Sequence, residues 1–83
     1  MGVNYALLRK LTAREIISAL IRDGFSFDRG SGSHQIYYHP DGRRDTVTFH
    51  ASGDTFGPKT LKSMIEKEAR WTEEDLKRLK LIR

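Results

Sequence analysis

Hydrophobic residues recur at helical spacing in the first part of the chain. Four of them form one apolar stripe: Ile16, Ile17, Leu20 and Ile21. Thr12 and Glu15 precede the stripe at the spacing of a capping box, in which each side chain bonds the other residue's backbone amide. Gly24 follows the stripe and suits the left-handed conformation that ends many helices. The pattern therefore predicts an amphipathic helix that begins after Thr12 and ends at Asp23.

After this helix the pattern changes to the short alternating segments that are typical of strands. It predicts a half-buried strand over residues 25–28, a second strand over 34–39 and a third over 44–49. Residues 40–42, a Pro-Asp-Gly sequence, predict a turn, because proline fixes its first corner and glycine supplies a positive φ. Strands joined by so short a connection run antiparallel. Residues 29–33, which are rich in glycine and serine, are expected to form a flexible connection.

The turn also predicts a register for the second and third strands. If His39 lies opposite Arg44, then Ile36 faces Val47 and His34 faces Phe49. One face then carries the apolar set Ile36, Val47 and Phe49, and the other carries Gln35, Tyr37, Thr46 and Thr48. In this register His34 lies on the core side of the sheet, at its end, beside the loop that precedes the next helix.

Two helices are predicted in the last third of the chain. Pro58 suits the first position of one of them, and its apolar stripe consists of Leu61, Met64, Ile65 and Ala69. Thr72 is expected to cap a short terminal helix over residues 72–82, whose acidic first turn complements the positive end of the helix dipole. Trp71 is expected to anchor that helix in the core.

These elements predict an α+β fold in the order α-β-β-β-α, with a short C-terminal helix added. Helices on one face of a three-stranded antiparallel sheet resemble the double-stranded-RNA-binding fold. We interpret residues 1–83 as a single small domain, since so short a chain has a modest core. Residues 1–11 are interpreted as an N-terminal extension of that domain.

Composition narrows the function classes. A net charge of +4 and a sequence pI of about 9.7 favour a polyanionic partner, with nucleic acid as the leading candidate. The chain has no cysteine, which excludes disulfides, a thiolate nucleophile and cysteine-based zinc sites. No apolar run has the length needed to span a bilayer, and the first residues do not form a signal peptide, so we expect a cytoplasmic protein without membrane contact.

All three histidines fall between residues 34 and 50. His34 and His39 stand an odd number of residues apart on one predicted strand, so regular pleating sends them to opposite faces. No carboxylate stands at an obvious ligand spacing from a histidine pair, and we expect neither a metal nor another cofactor. His39 and His50 are expected to be solvated residues at strand ends.

His34 follows a glycine-rich approach at the head of a strand, and imidazole is the side chain best suited to proton transfer near neutral pH. The alternative is a structural histidine bonded to a neighbouring backbone carbonyl. Lys59 is the candidate phosphate ligand at a helix N-terminus, where free amides favour an anion. Arg29 and Arg43 are further candidates for phosphate contact, and Tyr37, on the open face of the predicted sheet, is a candidate for base stacking.

The chain resembles the HicA (YcfA-like) toxins, small ribonucleases of bacterial and archaeal toxin–antitoxin pairs. The resemblance runs from about Thr12 to about Leu76. It is carried by Gly24-Phe25, Arg29, Gly32-Ser33-His34, Tyr37 and His39-Pro40-Asp41-Gly42-Arg43-Arg44, in that order and spacing. The glycine-serine-histidine element with the following turn is its most specific part.

The resemblance implies the toxin of a type II toxin–antitoxin system, a metal-independent endoribonuclease that cleaves messenger RNA with a single catalytic histidine, His34. It also implies a HicB-like antitoxin protein that masks the active site. The residues expected to bind RNA are Arg29, Ser33, Tyr37, Arg43 and Lys59. Two alternatives stay open at this point: a non-catalytic RNA-binding module, and an inactive relic of the toxin with the same fold.

Overall fold

The computed structural model describes residues 5–82. Within them the elements are α1 (Tyr5–Leu8), α2 (Ala13–Arg22), β1 (Ser26–Ser31), β2 (His34–Tyr38), β3 (Arg44–Thr48), α3 (Pro58–Lys62), a π-helix (Ser63–Glu68) and α4 (Glu73–Arg78). The three strands form one antiparallel sheet in the order β1-β2-β3. The predicted α+β fold, of the double-stranded-RNA-binding type, is therefore confirmed.

Helix α2 begins as the capping box predicts. The Glu15 amide donates to the Thr12 hydroxyl at 3.3 Å, and the Thr12 amide donates to the Glu15 carboxylate at 3.0 Å. Its buried face differs slightly from the predicted stripe and consists of Ala13, Ile16, Ala19 and Leu20. Ile21 points outward and is 57% exposed, since it lies beyond the arc that this face covers. The helix ends where predicted, with Gly24 at a φ of +107°.

Part of the predicted N-terminal extension belongs to the core. Leu8 and Leu11 are buried, and α1 carries Tyr5, whose hydroxyl donates to the carboxylate of Glu66 in the π-helix. Partial burial, together with the negative charge of Glu66, raises the pKa of Tyr5. Residues 1–4 of the extension lie outside the described residues, as does Arg83.

The register between β2 and β3 differs by one residue from the predicted one. His34 pairs with Thr48, Ile36 with Thr46 and Tyr37 with Asp45. The reason is the turn, which closes between His39 and Arg43: the His39 amide donates to the Arg43 carbonyl at 2.8 Å. When the pairing shifts by one residue, the side chains of one strand that shared a face with a given set on its neighbour share the face with the other set instead.

The predicted faces of β2 are therefore wrong. Tyr37 is 4% exposed and packs in the core with Val47, while Ile36 and His34 lie on the opposite face. The aromatic ring of Tyr37 brings more apolar area to the core than Ile36 does. Its hydroxyl also keeps a partner, since it donates to the Gln35 side-chain oxygen at 2.8 Å.

Strand β1 is longer than predicted and contains a bulge. Phe27 pairs with Tyr37, but Arg29 pairs with Ile36, so Asp28 is an extra residue in β1. The predicted flexible connection is largely part of this strand, and only the tight turn at Gly32 separates it from β2; Gly32 has a φ of +60°. Because a bulge shifts the following side chains to the other face, Arg29 lies on the same face of the sheet as Ile36.

The core lies between the buried face of the sheet and the helices. It includes Leu8, Leu11, Ile16, Ala19, Leu20, Phe25, Tyr37, Val47, Leu61, Met64, Ile65, Ala69, Trp71, Leu76, Leu79 and Leu81. Trp71 is 3% exposed, which confirms its expected role as an anchor. Thr72 caps α4 in a second capping box, but this helix ends at Arg78, earlier than predicted. No helix among residues 5–82 combines the length and the apolar character needed to cross a membrane.

One carboxyl group is buried in this core. Asp45 is fully buried, and neither of its carboxyl oxygens has a hydrogen-bond partner among the described residues. Burial, reinforced by the negative charge of Glu68, raises the pKa of Asp45 to about 8. An aspartate in an unfolded chain has a pKa of about 3.9. Between these two values the folded chain holds a proton that the unfolded chain has lost, so stability falls as the pH rises.

We predict that Asp45→Asn removes this loss of stability. The free energy of unfolding of the wild type should fall between about pH 4 and pH 8 by up to about 1.4 kcal/mol for each pH unit. The neutral asparagine should not show this fall. Urea unfolding at several pH values measures both curves, with Asp28→Asn as the exposed control. Parallel curves for the wild type and Asp45→Asn would show that Asp45 ionises normally in the folded chain.

Candidate active site

The face of the sheet opposite the core carries two of the candidate residues, Arg29 and His34. We call it the open face. The register and the bulge place on it Arg29 and Ser31 of β1, His34, Ile36 and Tyr38 of β2, and Arg44, Thr46 and Thr48 of β3. This set contains two arginines and a histidine, and the neighbouring carboxylate, that of the bulged Asp28, lies 3.8 Å from Arg29 Nε, so positive charge exceeds negative charge. The open face is therefore suited to an anionic ligand.

His34 begins β2 on this face and is exposed to solvent. It pairs with Ser31 on one side and Thr48 on the other, so it lies in the middle of the sheet rather than at an outer edge. The Phe49 amide donates to the Ser33 carbonyl at 3.0 Å and fixes the backbone next to His34. Within residues 5–82 its ring has neither a hydrogen-bond partner nor an ion pair, so the ring is not held by a backbone carbonyl. Both ring nitrogens are free for a ligand.

A groove runs along the outer edge of β3, beside α3 and the π-helix. Its volume is about 360 Å³, and it is lined by Thr46, Thr48, Lys59, Thr60, Ser63, Met64 and Glu68. Thr48 both pairs with His34 and lines the groove with Lys59. Directly paired side chains lie about 5 Å apart across a sheet. The groove therefore opens next to the open face at the position of His34.

The π-helix shapes this groove. The Thr46 amide, at the edge of β3, donates to one carboxylate oxygen of Glu68 at 2.7 Å, and the Ser63 hydroxyl donates to the other at 3.2 Å. Glu68 thereby occupies a backbone donor of β3 that an edge strand otherwise leaves open. The sequence pattern did not reveal Glu68 or the groove threonines, since a π-helix has no simple signature in hydrophobic periodicity.

Lys59 lies in the first turn of α3, and its role in RNA binding stays a prediction. Pro58 begins α3, and Gly57 caps the helix without any side-chain hydrogen bond. The first amides of a helix have no partners within the helix. Lys59 is exposed in this first turn and lines the groove. A cationic side chain and a helix start thus lie on the other side of Thr48 from His34.

A family model described as "HicA toxin of bacterial toxin-antitoxin" matches residues 13–71, which is most of the 83-residue chain. The chain belongs to the HicA toxin family. The matched range includes His34, the open face, the turn after β2 and the groove. Among curated proteins, no sequence matches this chain significantly. Because HicA proteins are the toxins of toxin–antitoxin systems, the family implies that this toxin has an antitoxin partner.

Two further residues of the site predicted for this HicA family member also lie near His34. Arg29 follows the bulge in β1, its side chain is 71% exposed, and its one ion pair among residues 5–82, to Asp28, is long at 3.8 Å. Ser33 is half-buried in the turn before His34. The role of each in RNA binding stays a prediction.

Arg43 is placed differently. Its side chain is 16% exposed, and its guanidinium donates to the Asp23 carboxylate at 3.0 Å, to the Asp41 carboxylate at 2.8 Å and to the Ala69 carbonyl at 2.6 Å. It also lies 5.0 Å from the centre of the Phe25 ring. These contacts hold the turn after β2 against the end of α2, so we leave Arg43 out of the proposed HicA site.

The expected position of Tyr37 on the open face is wrong, because its ring is buried on the core side. A buried ring cannot stack on a base while the core stays closed. Tyr38 is the tyrosine of β2 on the open face: it is 41% exposed, and the Arg44 guanidinium lies 5.9 Å from its ring centre. The error follows directly from the slip in register.

His39 is structural, which overturns the expectation that it is solvated. Its Nε2 donates to the Asp23 carbonyl at 2.9 Å, and its Nδ1 accepts from the Asp41 amide at 3.0 Å. Its ring meets the Phe25 ring edge-on at 5.1 Å. A Cβ at Gly24 would lie 2.8 Å from Nε2, so the close approach requires glycine there. His50 is exposed, as predicted.

A metal site is not formed by the part of the chain that the structure describes. Residues 5–82 contain no group of three histidine, aspartate or glutamate side chains arranged to hold an ion. His34 faces solvent on the open face, whereas His39 is bonded to the end of α2. His34 and His39 are therefore separated in space.

Proposed function

We propose that this HicA family member is an endoribonuclease that cleaves messenger RNA without a metal and uses His34 for proton transfer. One observation carries the proposal most directly. His34 is the exposed imidazole of the open face, unpartnered among residues 5–82, while the two arginines of the same face supply positive charge. An unpartnered imidazole beside cations is suited to the chemistry of a phosphodiester.

Cleavage of RNA requires a base for the ribose 2′-hydroxyl proton, an acid for the leaving 5′-oxygen and positive charge on the phosphate. His34 provides one proton transfer. Arg29 lies on the same face, and Lys59 lies across Thr48, so a phosphate beside His34 is within the field of both. The second proton transfer is assigned to water.

The partner proposed for this toxin is a HicB-like antitoxin. An antitoxin that covers the open face blocks His34 and neutralises Arg29 and Arg44 at the same time. A partner protein can cover this site directly because the site is exposed on the surface and not enclosed in a cavity. With messenger RNA as its target, the toxin acts in the cytoplasm.

The first test compares two exposed histidines at strand ends. Expression of the wild type without its antitoxin should arrest growth and deplete messenger RNA, while His34→Ala should be harmless and folded. His50→Ala is the matched control, an exposed histidine to which the proposed mechanism gives no role, and it should stay toxic. Growth curves, RNA blots and circular dichroism provide the readouts. Equal toxicity of His34→Ala and the wild type would show that His34 is not the catalytic group.

Cleavage by the purified toxin should continue in excess EDTA, because the proposed mechanism uses no metal. The products should carry a 2′,3′-cyclic phosphate or 3′-phosphate and a 5′-hydroxyl, since the 2′-hydroxyl is the nucleophile. End-labelling of the fragments identifies these groups. Fragments with a 5′-phosphate would contradict the mechanism.

A third test concerns the phosphate position. Lys59→Glu should weaken RNA binding and cleavage by at least about tenfold, because it places a negative charge at the helix start beside His34. Lys77→Glu makes the same change of charge on exposed α4 and should have a much smaller effect. Binding is measured by fluorescence anisotropy and cleavage on a labelled oligonucleotide. Equal losses of binding and cleavage in the two variants would mean that RNA is attracted by the overall positive charge of the protein and not at a localised phosphate site.

A further inference from the structure

A second concave site lies between α2 and the C-terminal segment. It has a volume of about 240 Å³ and is lined by Arg14, Glu15, Ser18, Arg22, Lys80 and Leu81. We call it the basic cavity. None of its residues is among the predicted site residues, and none lines the groove beside His34.

The polar side chains that line the basic cavity are mostly hydrogen-bond donors. Three of its side chains are cations, Ser18 adds a hydroxyl, and Glu15 is its single carboxylate. That carboxylate is already engaged in the capping box, where it accepts from the amide and the hydroxyl of Thr12, each at 3.0 Å. The surplus charge is therefore positive and available to an anion.

Two cations of the basic cavity are held in position by the fold. Arg22 donates to the Leu79 carbonyl, and Arg14 donates to the Ser52 hydroxyl at 3.2 Å. Each contact uses one of the five N–H donors of a guanidinium and leaves the others free. An arginine that is already positioned loses less rotamer entropy when it binds a phosphate.

Lys80 has an unusual backbone. It is one of two non-glycine residues with a positive φ among residues 5–82, at +62°, and its amide donates to the Lys77 carbonyl at 3.0 Å. This left-handed residue turns the chain after α4, so that Lys80 and Leu81 reach the basic cavity. Its ammonium group makes neither a hydrogen bond nor an ion pair with any described residue.

The basic cavity is connected to the end of the sheet that carries His34. The Arg14 amide donates to the Ser52 carbonyl at 3.0 Å, and the neighbouring amide of Ala13 donates to the Asp54 carbonyl at 2.8 Å. Ser52 lies in the loop that follows β3, shortly after Thr48, the partner of His34. From Arg14 the cavity extends to Arg22, about 12 Å along the helix.

We propose that the basic cavity binds a backbone phosphate of the RNA substrate, at a nucleotide away from the cleaved bond. The inference rests on the proposed function, because it assumes that RNA is the substrate. Phosphate oxygens match a site made of donors. An acidic segment of the antitoxin fits less well, since the cores of protein interfaces are apolar and the one apolar residue here, Leu81, is already buried.

The test measures binding without cleavage. In the His34→Ala background, a fluorescent single-stranded RNA of about twelve nucleotides is titrated with the protein at several salt concentrations. Arg14→Gln/Lys80→Gln should weaken binding about tenfold, and the slope of log K against log salt should become smaller by about 0.7 for each lost phosphate contact. Lys67→Gln/Lys77→Gln removes the same charge from exposed positions outside the cavity and should change binding less than twofold.

Equal weakening by the two double variants would overturn the proposal. If circular dichroism shows that the Arg14/Lys80 double variant does not fold, the single variant Lys80→Gln is used instead. It should bind RNA about threefold more weakly than the His34→Ala protein. Unchanged binding would overturn the proposal. Loss of the antitoxin complex with unchanged RNA binding would assign the cavity to the antitoxin and also overturn the proposal. A toxic His34→Ala variant would instead refute the catalytic role of His34 and leave this binding result standing.

Discussion

Asp23, at the end of α2, is the residue on which the arrangement of the other elements depends. Its carboxylate accepts hydrogen bonds from Arg43 at 3.0 Å, from the Trp71 indole at 2.9 Å and from Arg78 at 2.8 Å, and its carbonyl accepts from His39. Its partial burial opposes ionisation, but the hydrogen bonds from Trp71 and Arg78 and the charge of Arg43 prevail and lower the pKa of Asp23. One carboxylate thus joins α2, the turn after β2 and the C-terminal segment.

The position of His34 follows from this junction. Arg43 and His39 form the turn that Asp23 holds, and the turn closes with the His39 amide on the Arg43 carbonyl. That closure sets the register of β3 on β2, and the register sends the side chain of His34 to the open face. A contact network at one end of the sheet therefore decides what is exposed at the other end. This explains why the histidine-proline-aspartate-glycine-arginine turn is structural although it lies close in sequence to the proposed catalytic residue.

The proposed site combines features that were readable in the sequence with others that were not. His34, Arg29 and Lys59 were all predicted from their residue types and local context. Arg29 shares the open face with His34, and Lys59 lines the groove with Thr48, the partner of His34. Arg43 was predicted by the same reasoning from positive charge, but its guanidinium is occupied by carboxylates whose proximity no local pattern reveals. The groove threonines and Glu68 were missed, because they are brought together by an edge strand and a π-helix that are distant in sequence.

Helix α2, the three strands, the turn after β2 and the starts of α3 and α4 could be predicted from the amino-acid sequence, since capping boxes, turn residues and apolar periodicity are local signals. The sequence also determined the family and the identity of the histidine that carries the proposed chemistry. The strand register, the bulge at Asp28 and the set of side chains on the open face depend on long-range contacts and could not be predicted. Side chains alternate between the two faces of a strand, so a shift of one residue in the pairing moves each of them to the other face. Burial of Tyr37 and the long-range bonds to Asp23 determine that shift, and neither interaction exists until the chain has folded.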